Sequence, residues 1–397
     1  MLMNFIFISP QFPSTYYNWC DRLKKAGVNV LGIGDDAYER LSDNVKNSLT
    51  EYYKVDSLGN YDSVFKAVAF FTFKYGKIDW LESNNEHWLE QDAKLREEFN
   101  ITTGAHPEDM EAYKSKSAMK PFYAKAGVGS ARCHKVIGME DCKAFLAEVG
   151  YPVIVKPDNG VGASHTYKLS NDADLEHFFA TKIDAPYVME EFVVGDIFSY
   201  DAVTNDQCEV IFECNNVWPP SIADIVNNKT ELTYYCSPKI DPKLQKAGRA
   251  TVKAFNVKSR FVHLEFFRLR DAKKGLGEAG DFVGLECNMR PAGGFTPDMM
   301  NYALSTDVYQ IWADMVTTNT RKKEIGGENC CAYASRRNHV EYAHSHEDIL
   351  NKYGSRIKMH EPVPEVLSGA MGNYMYLCFG EDDEAVKEFI AYVIERK

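Results

Sequence analysis

The residues best suited to chemistry lie between positions 261 and 294. They read Phe261-Val-His-Leu-Glu265-Phe-Phe, then Val283-Gly-Leu-Glu286-Cys-Asn288-Met-Arg290-Pro-Ala-Gly293-Gly294. Strand alternation puts Glu286, Asn288 and Arg290 on one face, and Glu265 on a neighbouring strand can face them. Two carboxylates and an amide oxygen together make a hard oxygen site suited to Mg2+. Arg290 adds a fixed positive fork for a phosphoryl group or a carboxylate. A plainer alternative pairs Glu265 and Glu286 with Arg268, Arg270 and Arg290 in a salt-bridge network. Both acids sit inside very apolar strands, where an unpaired carboxylate is costly, and Pro291 to Gly294 reads as a tight turn, which together favour the metal site.

Two earlier segments offer groups for a phosphate and a base. Tyr151-Pro-Val-Ile-Val-Lys156 is an apolar strand carrying a lysine to its end, and Gly160-Val-Gly162-Ala-Ser164 follows it as a loop of small residues. Backbone amides approach phosphate where side chains are absent, and a lysine adds a point charge, so the pair reads as a phosphate clamp. Its spacing is neither that of the usual mononucleotide loop nor that of a dinucleotide fingerprint, and a plain turn explains the glycines about as well. Tyr187-Val-Met-Glu190-Glu191-Phe192-Val193 is an extended stretch whose backbone could meet a purine edge and whose acids could accept from ribose. The alternative is a sheet strand ending in two solvated acids.

The elements that must position these groups fall into two styles. Up to about residue 104 strands and helices alternate: strands at 4–9, 28–32 and 78–82, helices at 15–26, 61–75 and 87–99. This is βαβ material, predicting an α/β domain with a parallel sheet. The turn Ser9-Pro10-Gln11-Phe12-Pro13 lacks the glycines of a dinucleotide site, and Asp35 reads as a turn residue. A boundary near 104–114 precedes a helix at 114–127, which Pro121 should kink or shorten. Strands at 131–137, 151–156, 187–192, 199–203, 210–214, 260–269 and 282–288 then predict an α+β unit, ending in an amphipathic helix at 381–397.

Composition narrows the class of protein. The 397 residues, 45% hydrophobic and 26% charged, predict two or three folded units. A net charge of -12 without a basic run argues against nucleic acid, and no apolar run is long enough to span a membrane. The start has no basic flank for a signal peptide, so a cytoplasmic protein is expected. Its ten cysteines form no Cys-x-x-Cys pair, and free thiols are expected, the adjacent Cys330 and Cys331 included.

In order, these residues resemble the ATP-grasp superfamily of carboxylate-amine ligases, which includes biotin carboxylase, carbamoyl phosphate synthetase and L-amino acid ligases. The likeness runs from the N-terminus to about residue 300. It implies that Lys116 and Lys156 are the nucleotide lysines, that Gly160, Gly162 and Ser164 belong to the phosphate-covering loop, and that Glu190, Glu191, Phe192 and Val193 form the adenine hinge. It further implies Glu265, Glu286 and Asn288 as ligands of Mg2+ or Mn2+, two ions in all, with Arg290 catalytic. The implied layout is an N-terminal α/β domain (1–110), a lid (111–190) and a catalytic part with a C-terminal lobe (191–397). The sequence departs from the pattern twice: Ile197 replaces the usual ribose carboxylate, leaving Asp196 or Glu191, and Ser115 stands where an Asp often precedes the first lysine.

The resemblance implies ATP-driven formation of an acyl phosphate, attack by an amine, and release of ADP and phosphate. Small-molecule carboxylate and amine partners are expected, and a homodimer is compatible. Glu86, Gly293, Gly294, Thr296 and Arg337 are the candidate substrate contacts. Glu86 also reads as an acid favoured at a helix start, and Arg337 as surface charge. A biotin-carboxylase or carbamoyl-phosphate-synthetase-like enzyme activating bicarbonate is the alternative enzyme. A non-catalytic ATP-binding module is the alternative from another class; loss of a metal ligand or of Arg290 would mark it, and none is lost.

Overall fold

The architecture is that of a computed structural model, which describes residues 2–160, 165–218 and 229–397. Four short strands, β1 (Asn4–Ile8), β2 (Asn29–Gly34), β3 (Glu51–Lys54) and β4 (Trp80–Glu82), form a parallel sheet in the order β3-β2-β1-β4. The chain lays β2 and β3 on one side of β1 and returns to place β4 on the other. Burial of every residue of β1 explains its unbroken apolar run, which a strand covered on both faces requires. Helix Tyr61–Tyr75 turns Val64, Ala67, Val68 and Phe71 inward at helical spacing.

Residues 110–191 build a smaller layer. Ser115 is extended, and its hydroxyl accepts the Ala118 amide, so the expected helix at 114–127 divides into Met110–Lys114 and Lys116–Ala126. Pro121 lies inside the second piece. After β5 (Gly129–Ser130) come β6 (Cys133–Lys135), β7 (Val153–Pro157), β8 (Tyr167–Leu169) and β9 (Tyr187–Glu191), an antiparallel sheet in the order β6-β9-β7-β8.

The remaining strands are β10 (Gly195–Thr204), β11 (Val210–Val217), β12 (Thr233–Ser237), β13 (Arg260–Leu269), β14 (Phe282–Asn288), β15 (Cys330–Arg336), β16 (Ile357–Pro362) and β17 (Tyr374–Gly380). With β5 they make one nine-stranded sheet, ordered β16-β17-β15-β12-β11-β10-β13-β14-β5. Every pairing is antiparallel except β14 with β5, so two residues inside the span expected for the lid belong to the large sheet. The fold is thus a parallel α/β unit followed by an α+β unit.

A shared core joins the first and last parts. Phe5 and Trp19 pack on Trp312 and Tyr309 of helix Val308–Thr318, with the Trp19 and Tyr309 rings 4.5 Å apart. Helix Lys116–Ala126 approaches β14 at Gly284, where a Cβ would lie 2.3 Å from the Tyr123 ring. Only glycine permits that approach, and Lys116 of the helix meets Glu286 of the same strand. No helix among the described residues is long and apolar enough to cross a membrane.

Candidate active site

Strand register settles which groups share a face. Glu265 of β13 lies directly opposite Glu286 of β14, and His263 opposite Asn288. Arg268 and Arg270 do not join them; both pair with Asp196. The salt-bridge network that would have satisfied the two glutamates without a metal is therefore not formed as drawn. Glu286 instead meets Lys116 Nζ at 3.1 Å, and Glu265 meets His263 Nε2 at 3.2 Å. Burial works against the charged Glu265, yet His263, Arg290 and Lys156 hold its carboxyl below the ordinary range. Among the described residues no three His, Cys, Asp or Glu side chains cluster as metal ligands. Two facing carboxylates with a neighbouring amide remain a set that fits Mg2+ if phosphate oxygens complete the shell.

Across from this face, Glu190 lies buried between two cations. Lys156 Nζ is 2.7 Å from its carboxylate, and Lys120, one helical turn beyond Lys116, forms a close ion pair with it. Burial alone would raise the Glu190 pKa, but the two lysines bring it down to about 2. Its contribution to stability is therefore complete above about pH 4.5, the ordinary value, and fades as pH falls through about 2. Glu190→Gln should cost about 3 kcal/mol near neutral pH by leaving buried lysines unpaired. Urea titrations should show the gap to wild type narrowing below about pH 4.5.

The remaining nucleotide candidates lie around this pair. Lys116 Nζ donates to the Gly160 carbonyl at 3.2 Å; Gly162 and Ser164 lie outside the described residues. Glu191 is held by Arg132 at 2.8 Å and Lys273 at 3.4 Å, and Lys273 Nζ also donates to the Phe192 carbonyl. Val193 is buried with Leu269, Leu276 and Val283. Both substitutes for the ribose carboxylate, Asp196 and Glu191, are thus already engaged in ion pairs.

Arg290 sits at the seam between the first and last parts. Its Nε lies 3.7 Å from Glu86, whose carboxyl is buried and pushed up in pKa by that burial, although Arg290 opposes the shift. The seam is pinned by Glu82 of β4. One of its oxygens accepts from Arg96 at 2.9 Å and from Arg260 at 3.2 Å, and Arg260 Nε also donates to the Met289 carbonyl beside Arg290. Gly294 has φ +62°, a left-handed backbone conformation that glycine adopts without strain, so the turn after Arg290 favours glycine. Thr296 Oγ1 donates to the Gly293 carbonyl at 2.7 Å and meets the Tyr234 hydroxyl at 2.9 Å.

Arg337 is corrected by the structure. Its guanidinium is buried and donates to the carbonyls of Thr230, Ser368 and Gly369, where it staples chain segments together. It is not surface charge, and its guanidinium nitrogens are engaged by those carbonyls. Three other groups escaped the sequence reading: Lys120, Asp158 and the pair Asp201 with His263. Asp158 accepts from both Ser115 and Ser117, supplying the carboxylate missing at position 115. Asp201 meets His263 Nδ1 at 2.8 Å, and although burial opposes the imidazolium, Asp201 and Glu265 raise the His263 pKa to about 9.

This arrangement of a parallel α/β unit, a small antiparallel layer and a large sheet recurs in solved structures of low sequence identity, which share its fold. The structure of L-amino acid ligase from Bacillus licheniformis superposes with TM-score 0.74 at 15% identity, covering 98% of this chain and 96% of that one. The 2-oxoglutarate carboxylase biotin carboxylase domain dimer of Hydrogenobacter thermophilus, in complex with MgADP, ADP and bicarbonate, superposes with TM-score 0.67 at 14% identity, covering 100% and 91%. In sequence, alanine–anticapsin ligase of Bacillus subtilis (strain 168) is 28% identical over 132 residues, 30% of this chain and 28% of its own length. The L-arginine-specific L-amino acid ligase of Bacillus subtilis is 22% identical over 272 residues, 66% of this chain and 65% of its own length. The chain thus spans under a third of the first of these relatives and just under two thirds of the second. No protein-family profile matches the chain.

Proposed function

We propose that the protein is an ATP- and Mg2+-dependent ligase that activates a carboxylate as an acyl phosphate and joins it to an amine of amino-acid or peptide-like type. The observation that carries this reading is the facing of Glu265 and Glu286, with Asn288 ending the strand of Glu286, Arg290 just past it, and Lys116 and Lys156 paired with acids alongside. Lys116 and Lys156 hold the nucleotide phosphates, and the backbone of Glu190 to Val193 receives the adenine. Glu265, Glu286 and Asn288 hold the metal, which when bound neutralises charge on the transferring phosphoryl group. A substrate carboxylate oxygen attacks the γ-phosphorus, the bond to ADP breaks, and Arg290 faces the charge that develops. The amine, positioned by Glu86, then attacks the acyl carbon, and phosphate departs. The ten free thiols support a cytoplasmic setting.

Incubation with ATP, Mg2+ and pooled amino acids, with ADP and phosphate measured, tests the reading. Substrate-stimulated release of both is expected. If no carboxylate and no bicarbonate raises release above background, the ligase reading fails; stimulation by bicarbonate without an amine favours the carboxylase-like alternative. Glu286→Gln should weaken Mn2+ binding, read by electron paramagnetic resonance, by at least about tenfold. Unchanged Mn2+ affinity would remove Glu286 from the metal site.

A further inference from the structure

On the ligase reading, we propose that Trp218 is the wall that reads the substrate side chain, selecting a large apolar or aromatic one. Along one face of the nine-stranded sheet the side chains change character in strand order. Glu286 and Asn288 on β14 come first, then His263 and Glu265 on β13, Ser199 and Asp201 on β10, and Asn216 on β11. Beyond them the face turns aromatic, with Trp218 just past the end of β11, Tyr234 on β12 and Tyr333 on β15.

The indole of Trp218 is fixed in place. Its backbone amide donates to the Ile197 carbonyl at 3.0 Å, and its Nε1 donates to Ser199 Oγ at 3.1 Å. The one polar atom of the ring is therefore satisfied within the protein, which leaves only apolar ring surface for a ligand. The ring stacks on Tyr234 with centroids 4.1 Å apart and planes 13° apart, and Tyr234 stacks on Tyr333 at 5.1 Å. Both tyrosines are buried, whereas Trp218 is half-buried, so of the three residues Trp218 is the one that keeps exposed surface.

Its neighbours place it between the two halves of the chemistry. His263, which contacts Glu265, lies on one side with ring centroids 5.8 Å apart. Tyr234 lies on the other, with its hydroxyl on Thr296, the first residue of the helix Thr296–Leu304 that follows the Arg290 turn. A substrate whose reacting carboxylate is near Arg290 would extend its side chain along the sheet towards Trp218. A pre-ordered aromatic plane loses little entropy on binding and rewards a flat or bulky apolar group.

The test compares ADP release by wild type, Trp218→Ala and Trp218→Phe with glycine, lysine, leucine and phenylalanine as substrates. Wild type should prefer leucine or phenylalanine. Trp218→Ala should lower kcat/KM for those two by about tenfold or more relative to glycine, with KM for ATP unchanged, and Trp218→Phe should retain most of the preference. If Trp218→Ala does not fold, Trp218→Ser takes its place. Wild-type preference for glycine or lysine would overturn the proposal, as would equal losses for all four substrates in the variant. Absence of ADP release with every amino acid in wild type would instead overturn the ligase reading, and this proposal with it.

Discussion

Arg290→Ala should lower kcat of ADP-forming ligation by about 10²- to 10³-fold while leaving nucleotide affinity within about threefold of wild type. The asymmetry follows from position. The lysines proposed to hold the phosphates, Lys116 and Lys156, pair with Glu286 and Glu190, whereas Arg290 faces Glu86 at the seam. On the proposed function a guanidinium there would meet charge that appears only as phosphoryl transfer proceeds, so its loss should fall on the transition state and not on the ground state. Single-turnover kinetics alongside ADP titration would separate the two. Equal losses in affinity and turnover would make Arg290 a binding residue, and unchanged turnover would move the chemistry elsewhere.

Glu82→Ala should destabilise the protein by about 3–5 kcal/mol, the usual result of removing one partner from a buried ion cluster. Burial opposes ionisation of Glu82, but Arg260 and Arg96 hold its pKa below the ordinary value, and backbone amides of Ser83 and Asn84 also donate to it. Without that carboxylate two buried guanidiniums lose their shared counter-ion, and the loop leading to Glu86 loses its anchor. Chemical denaturation should show the loss directly. Turnover measured well below the melting temperature should fall as well, because Arg260 also holds the carbonyl next to Arg290. A destabilised variant with full activity would show that the cluster serves stability alone.

Much of the scaffold was legible because its signals are local. The buried run in β1, the helical spacing of Tyr61–Tyr75 and the alternation that places Glu286 and Asn288 on one face depend on neighbours within a few residues. Lys120 and His263 had local signals of the same kind. One is four residues beyond Lys116 on a helix, and the other is two before Glu265 on a strand; both spacings mean a shared face. Asp201 had none, because its meeting with His263 depends on the pairing of β10 with β13. Arg337 misled for a similar reason, since two of its carbonyl partners come from residues 368 and 369, about 30 positions away. The two-residue strand β5 is too short to carry a periodic signal at all.

The pairing of Lys116 with Glu286, and of Lys120 and Lys156 with Glu190, has a thermodynamic consequence. Lys116 has a carboxylate partner of its own, and Lys120 and Lys156 share one, so two of the three positive charges are offset before any anion arrives. A divalent cation settling on Glu286 would release Lys116, and a polyphosphate engaging that lysine would in turn free Glu286 for the cation. By linkage, each should raise the other's affinity by the same factor. Mg2+ and nucleotide should therefore enter as positive heterotropic partners, and free phosphate or sulfate should compete poorly for the same lysines.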